Sequence, residues 1–284
     1  MLRNIVAIKR VLYDAIGHFN NDDGWAMASH LAITSLMALF PFLIFATTLA
    51  SFLGAQAFAS TAVHIVFDTW PEQIARPIAR EVLNVLTVQR TDLLTYGVLL
   101  AGFFASNGIE AVRVSLNRAY RVTETRGIVH RRVQSLVFVL IATAGFLVIS
   151  VLLVFAPLLA RLAEARLDWI KPYMGTITLW RYVIASGVIV AGLFAVHYWL
   201  PAGKRRLVSI VPGIVFTLVA WLIGSTAFAA YIDRFSSYVT TYAGLASIMI
   251  AVVFLYIVSA IFILGGELNA AISRYLAARA RVPG

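Results

Sequence analysis

The sequence predicts an all-α integral membrane protein with six transmembrane helices, on the strength of its composition and six long apolar stretches. Of its 284 residues, 61% are hydrophobic and 13% are charged, whereas a soluble domain carries about 25% charged residues. Each stretch approaches or exceeds the ~20 mostly apolar residues that cross a bilayer. Hydrocarbon offers no water to backbone groups, so we expect these stretches to be helical. The predicted spans are residues 31–53, 93–109, 133–159, 182–200, 208–231 and 242–266.

The basic residues predict the orientation of these spans. Of the 23 Lys and Arg residues, 15 lie before span one, between spans two and three, between spans four and five, or after span six. Short cytoplasmic loops carry such an excess of positive charge, so both termini are predicted to be cytoplasmic. A net charge of +10 also fits a nucleic-acid-binding protein. Topology accounts for the distribution, and no nucleic-acid partner is expected.

The segments outside the spans predict surface helices around one membrane domain, residues 1–284. Residues 1–22 have apolar positions at helical spacing, including Leu12, Ile16 and Phe19. They predict a cytoplasmic amphipathic helix that lies in the membrane interface or packs under the bundle. The connection 55–91 is too long to be an unstructured loop and predicts a periplasmic amphipathic helix. Residues 267–284 are expected to form a cytoplasmic tail, and Pro41 to kink span one.

Ionisable residues near membrane depth are the candidates for chemistry, because burying charge in a bilayer is costly. Glu110 and Glu267 come near the predicted ends of spans two and six, where the helix dipole disfavours negative charge. Each therefore needs a cationic partner. Arg113, one turn away, is expected to pair with Glu110, and an arginine of the 113–132 loop, such as Arg118 or Arg121, with Glu267. The two carboxylates predict either a structural ion-pair cluster or a site for gating or substrate binding.

Enzyme signatures are missing from the sequence. There is no cysteine and no phosphate-binding G-x-x-x-x-G-K-[ST] loop, and the five histidines show no H-x-H or H-E-x-x-H grouping. We therefore expect no metal, no cofactor, no ATP-driven step and no catalytic residue. His197 fits a proton relay, but its neighbours Tyr198 and Trp199 favour a position in the interfacial aromatic belt.

Three stretches carry a resemblance to a known family. The first is an Ala- and Ser-rich span that ends in Phe-Pro, residues 23–41, and the second is residues 107–120. The third, residues 242–269, has Gly-Gly-Glu-Leu-Asn near its end. In these stretches the chain resembles the YihY/BrkB family of bacterial inner membrane proteins, formerly labelled ribonuclease BN-like. The resemblance implies a six-helix inner membrane protein linked to envelope resistance, for which transport of lipids or other amphiphiles is suspected. The motif residues are Asp23, Pro41, Asn107, Glu110, Asn117, Gly265, Gly266, Glu267 and Asn269.

The expected function is transport or export of a lipid or other amphiphile, without ATP. The alternative is a scaffold that docks partners or anionic lipids through the basic loop, and a ribonuclease is the remote third. Membrane lipids are the expected partners, and a homo-oligomer stays open. The candidates for substrate binding or gating are Asn107, Glu110, Arg113, Asn117, Glu267 and Asn269; those for a hinge or kink are Pro41, Gly265 and Gly266; those for lipid headgroups are Arg118, Arg121 and Arg126.

Overall fold

Helices account for every regular element in the part of the chain that the computed structural model describes, residues 2–52, 91–155, 168–234 and 243–280. A π-helical turn (Val151–Phe155) follows α4, and a 3-10 helix (Asp168–Tyr173) precedes α5. The all-α prediction is confirmed for these residues, whereas the predicted connection 55–91 lies outside them apart from Thr91. The α-helices are α1 (Leu2–Asn21), α2 (Gly24–Phe52), α3 (Thr91–Ala119), α4 (Ile128–Ser150), α5 (Met174–Trp199), α6 (Leu207–Arg234) and α7 (Ala243–Ala280).

Four stretches in the described ranges are long and apolar enough to cross a membrane: Ile128–Leu153, Lys171–Trp199, Leu207–Ile232 and Ile248–Ala280. They overlap predicted spans three to six, of which residues 156–159 and Tyr242 lie outside the described residues. A shorter apolar helix, Gly24–Leu39, belongs to α2. Predicted spans one and two fall mostly in α2 and α3, and their passage through the membrane stays a prediction. The chain is therefore a helical, multi-pass membrane protein.

Helix α7 continues well past the predicted end of span six. Its 38 residues measure roughly 57 Å along the axis, against about 30 Å for the hydrocarbon core. Glu267 lies more than three turns before the helix ends at Ala280, so its predicted position at a helix C-terminus is wrong. The residues after Gly266 are rich in Ala, Leu and Arg, which favour helix. Residues 267–280 of the predicted tail are therefore helical.

The chain forms two compact units, Met1–Ala32 with Ile109–Gly284, and Ile33–Gly108. In the first unit, α7 packs against α1 and α6, and α5 packs against α4 and α6. In the second unit, a Cβ placed on Gly108 would lie 3.8 Å from the Ala38 side chain. The first unit has an apolar core that includes Phe19, Leu31, Leu116, Leu193, Ile210, Ile214, Phe262 and Ile263.

Glycines bring α7 into close contact with its neighbours. A Cβ on Gly265 would collide with the Thr217 hydroxyl of α6, and one on Gly213 would collide with the backbone oxygen of Gly265. Gly266 faces α3, where a Cβ would lie 3.1 Å from that of Ala119. The predicted close approach at Gly265 and Gly266 is therefore confirmed. Because α7 is a continuous helix here, their predicted role as a hinge stays untested.

Helix α1 packs against the bundle with a different face from the predicted one. Ala15 and Phe19 are buried, whereas Leu12 and Ile16, predicted to share a face with Phe19, are exposed. The packed face includes His18, whose ring binds Glu267 of α7. Polar contacts therefore help to set the rotation of α1. Packing of α1 against the bundle is observed, its place at the cytoplasmic surface stays a prediction, and the apolar side chains of α1 left exposed are Val6, Ile8, Leu12, Tyr13 and Ile16.

Candidate functional site

The polar side chains of the first unit meet at one of its ends, where α3 and α5 end and α4 and α6 begin. Four of the six predicted binding or gating residues are buried there: Arg113, Asn117, Glu267 and Asn269. Glu110 is half-buried beside Arg113. Asn107 belongs to the second unit, where it is half-buried. The sequence thus singled out residues that the fold of the first unit brings together, with Asn107 as the exception.

The first group at this end joins α3 to α4. The predicted pair is confirmed, since Arg113 donates from Nη1 to Oε2 of Glu110. Arg131 donates to the other Glu110 oxygen at 2.9 Å. Arg113 Nη2 also donates to Ser135 Oγ at 2.9 Å and to the backbone oxygen of Arg131 at 3.0 Å. A fully buried guanidinium with this many acceptors is a structural tie between two helices.

Glu267 on α7 is satisfied much less completely. Its side chain is 2% exposed, and Oε1 lies 3.0 Å from His18 Nδ1. Oε2 lies 3.7 Å from Arg121 Nη2 and makes no hydrogen bond with any of the described residues. Arg121 was one of the predicted partners, and the ion pair is confirmed. His18 was not predicted, because 249 residues separate it from Glu267 and no local spacing rule links them.

Arg121 reaches Glu267 from a left-handed backbone conformation, with φ of 57°. Its N–H bonds the oxygen of Arg118 at 2.8 Å, and the N–H of Val122 bonds that of Asn117 at 2.9 Å. This pattern closes the C-terminus of α3 as a Schellman motif, in which glycine is usual. An arginine there costs about 1–2 kcal/mol of backbone strain. Its guanidinium lies 3.2 Å from Asp14 Oδ2, so ion pairs hold the residue in place.

Further charged groups surround Glu267, and together they form what we name the α1–α7 cluster. Asp22 lies 3.4 Å from His18 Nε2, and Arg274 lies 3.8 Å from Asp14. Burial lowers the pKa of His18 from 6.5, and the nearby charge of Arg121 lowers it further, against smaller opposing effects of Asp22 and Asp14. The imidazole is therefore mainly neutral at pH 7. The cluster consists of Asp14, His18, Asp22, Arg121, Glu267 and Arg274.

A third group links α3, α5, α6 and α7 through Asn269. Its Oδ1 accepts the Gly213 N–H at 2.6 Å, and its Nδ2 donates to Ile210 O at 3.0 Å and to Tyr120 Oη at 3.1 Å. Because Tyr120 Oη accepts from Asn269, its own hydrogen is free to point to His197 Nδ1, 2.8 Å away. Burial raises the pKa of Tyr120 to about 12, so the phenol keeps this hydrogen.

His197 itself is fully buried, and its ring lies 5.0 Å from that of Phe262. The predicted position in an interfacial aromatic belt is therefore wrong. The cause is the polar contact with Tyr120, which draws the imidazole into the bundle. Accepting the Tyr120 hydrogen at Nδ1 leaves the proton of a neutral ring on Nε2, and Nε2 meets no hydrogen-bond acceptor in the described ranges.

A sequence match over most of the chain shows the family to which it belongs. A family model described as "Virulence factor BrkB" matches residues 15–283. The chain belongs to the BrkB family. It is 30% identical over 268 residues to YfkH of Bacillus subtilis (strain 168), which has a ribonuclease-like name, with 91% of this chain and 94% of that protein covered.

Other relatives of this BrkB-family chain are named as membrane proteins. A UPF0761 membrane protein of Coxiella burnetii (strain Dugway 5J108-111) is 28% identical, with 85% of both chains covered. One from Psychrobacter sp. (strain PRwf-1) is 22% identical over 89% of this chain, which spans 46% of that longer protein. No solved structure matches the chain.

The basic loop of this BrkB-family protein is largely tied to the protein itself. Arg126 binds Glu124 through Nε and Nη2 at 2.7 Å each and donates to the oxygen of Leu200 at 2.8 Å. Asn117 donates to Glu124 at 3.0 Å and accepts the Ala202 N–H at 2.7 Å. Of the predicted headgroup-binding residues, Arg121 and Arg126 therefore have protein partners. Arg118 is exposed and donates to the backbone oxygen of Asp22.

Proposed function

We propose that this BrkB-family protein moves a lipid or another amphiphile across the bacterial inner membrane without using ATP. The observation that carries the proposal is Glu267. It is a buried carboxylate in a membrane-spanning helix, and one of its oxygens has no hydrogen bond among the described residues. Ionisable residues in such helices mark substrate and ion pathways, because an unused buried charge is too costly to keep.

An amphiphile fits the surroundings of Glu267 better than a wholly polar solute does. The α1–α7 cluster supplies both carboxylates and guanidinium groups, which suit a polar headgroup. The opposite side of α1 presents exposed apolar side chains, including Leu12 and Ile16, which suit acyl chains. A molecule with a charged head and an apolar tail would contact charged and apolar side chains of the same helix, α1.

Transport is tested with purified protein in liposomes that carry a fluorescent phospholipid in one leaflet. We expect translocation faster than in empty liposomes, and we expect Glu267→Gln to reduce it at least tenfold while the protein still folds. His130→Gln is the control, because it places the same amide side chain at an exposed position of α4. Translocation no faster than in empty liposomes, across several anionic and zwitterionic lipids, would rule the proposal out.

A scaffold that docks a partner or anionic lipids is the second candidate. It is favoured by the exposed cations at this end of the first unit, Arg118, Lys204 and Arg206. If Ala substitutions at these three positions abolish binding to anionic vesicles and leave lipid translocation unchanged, the scaffold function is the better description. A ribonuclease would have to cleave RNA in purified form and lose that activity with a chelator.

A further inference from the structure

His18 connects a buried carboxylate to an exposed one. Its Nδ1 lies 3.0 Å from Oε1 of Glu267, which is 2% exposed. Its Nε2 lies 3.4 Å from Oδ2 of Asp22, which is 40% exposed, and the imidazole itself is 21% exposed. The two ring nitrogens therefore face opposite ends of a short path that runs from water, through Asp22 and His18, to Glu267.

We propose that His18 is a proton relay that loads Glu267 from the aqueous side. A neutral imidazole has one N–H and one unprotonated nitrogen. With Glu267 ionised, Nδ1–H donates to its carboxylate, and Nε2 is free to accept a proton from Asp22, once Asp22 has itself been protonated from solvent, or from a water beside it. As Nε2 takes up that proton, Nδ1 gives its own to Glu267 Oε1. Glu267 becomes a neutral acid, His18 stays neutral as the other tautomer, and the donor loses one proton.

The other charges of the cluster keep this path reversible. Arg121 lies 3.7 Å from Glu267 Oε2 and stabilises the carboxylate, so that protonated Glu267 can release its proton again. Arg121 also forms an ion pair with Asp14, at 3.2 Å, and Asp14 lies 3.8 Å from Arg274. Asp22 borders the path on its exposed side. Chains of Asp, Glu and His side chains form proton relays in pumps and transporters, and Asp22, His18 and Glu267 form such a chain here.

The relay deepens the proposed transport function, because reversible protonation of Glu267 would link a proton gradient to movement of the amphiphile. Protonation of Glu267 through the relay can nevertheless be measured by itself, in an experiment that involves no lipid transport. Infrared difference spectroscopy after a pH jump follows the carboxyl band of Glu267 in protein held in lipid nanodiscs. Glu267→Gln identifies that band by removing it. We expect wild-type protein to protonate Glu267 within the mixing time.

Removal of the relay should slow this step. We expect His18→Ala to slow protonation of Glu267 at least tenfold, and added imidazole to restore the rate, because free imidazole can carry protons but cannot repair a structural defect. His18→Gln retains a donor to Glu267 but cannot relay a proton, so it should be equally slow with its thermal stability retained. His130→Ala, at an exposed histidine in α4, is the control and should leave the rate unchanged.

The outcomes separate the relay from transport. An unchanged rate in His18→Gln, a slow rate in His18→Ala that imidazole does not restore, or a Glu267 band that never titrates would each overturn the relay. A slow, imidazole-restored rate in a protein that moves no lipid would support the relay and contradict the proposed transport function.

Discussion

Arg113 and Glu267 are both buried, but their surroundings differ at the level of single atoms. Arg113 has a carboxylate, a hydroxyl and a backbone oxygen as acceptors. Glu267 has one histidine within hydrogen-bond distance and one arginine at 3.7 Å. Nε of Arg113 has no hydrogen bond among the described residues, but both Nη atoms do, whereas a buried carboxylate with an unused oxygen is more readily neutralised by a proton. We therefore expect the proposed proton chemistry at Glu267, whereas Arg113 ties α3 to α4.

The acid sensitivity of the basic loop should depend on Glu124. Hydrogen bonding to Arg126, with help from Asn117, lowers its pKa from 4.5 to about 2 despite partial burial. The folded state thus favours the ionised form, and the resulting stability is present above about pH 4.5 and is lost as the pH falls toward 2. We predict that Glu124→Gln lowers stability by about 1.5–3 kcal/mol at pH 7, with the difference from wild type shrinking in acid.

Thermal unfolding in detergent between pH 7 and pH 2 measures this effect, with exposed Asp23→Asn as a control. A difference between Glu124→Gln and wild type that stays constant over this range would contradict the assignment of the stability to an ionised Glu124.

The pair of Glu110 with Arg113 and an arginine partner for Glu267 were predictable, whereas the contact of Glu267 with His18 was not. Glu110 and Arg113 are three residues apart on one helix, so helical geometry alone predicts their contact. The contact between His18 and Glu267 depends on how α1 docks against α7, which no local pattern encodes. The left-handed Arg121 was missed for another reason. That position usually holds glycine, and only the ion pairs with Asp14 and Glu267 account for an arginine there.

Contacts between whole helices depend most visibly on the glycines of α6 and α7. The backbones approach so closely at Gly213 and Gly265 that neither position has room for a methyl group. Asn269 adds hydrogen bonds to Ile210 and Gly213, next to Pro212 of α6. Close backbone packing of this kind replaces the hydrophobic driving force, which is absent between helices in lipid.

A methyl group at Gly265 should therefore separate α6 from α7. We predict that Gly265→Ala destabilises the protein by about 1–3 kcal/mol through overpacking, although alanine favours helix over glycine by about 1 kcal/mol. Gly187→Ala in α5 is the matched control, because a Cβ there meets no atom within 4 Å, and it should be neutral or stabilising. Thermal unfolding in detergent compares the two, and equal stability would contradict the proposed packing.

The four helices that are long and apolar enough to cross a membrane were predictable from apolar length, but the end of α7 and the rotation of α1 were not. Apolar length predicts where an apolar stretch ends, but not that the helix continues through the more polar residues that follow, as α7 does beyond Gly266. The rotation of α1 depends on Asp14 and His18, which face partners on other helices. A pattern based on hydrophobicity assigns such polar residues to the water-facing side.

At the scale of the whole molecule, the polar groups gather at one end because successive helices of the first unit run in alternating directions. We predict that this end faces the cytoplasm, since most of the basic residues lie there. Reporter fusions after Arg206 should be active on the cytoplasmic side, and fusions after Lys171 on the periplasmic side. The reverse pattern would invert the orientation of every helix.

The docking of α1 against α7 also has a consequence for biosynthesis. The contact between His18 and Glu267 joins residues that are 249 positions apart, so the ribosome releases α1 long before its partner exists. Because chains begin to fold from the N-terminus during synthesis, α1 is made without this partner and can dock only after α7 has been translated. Only a chain that has been translated through Arg274 can therefore complete the α1–α7 cluster.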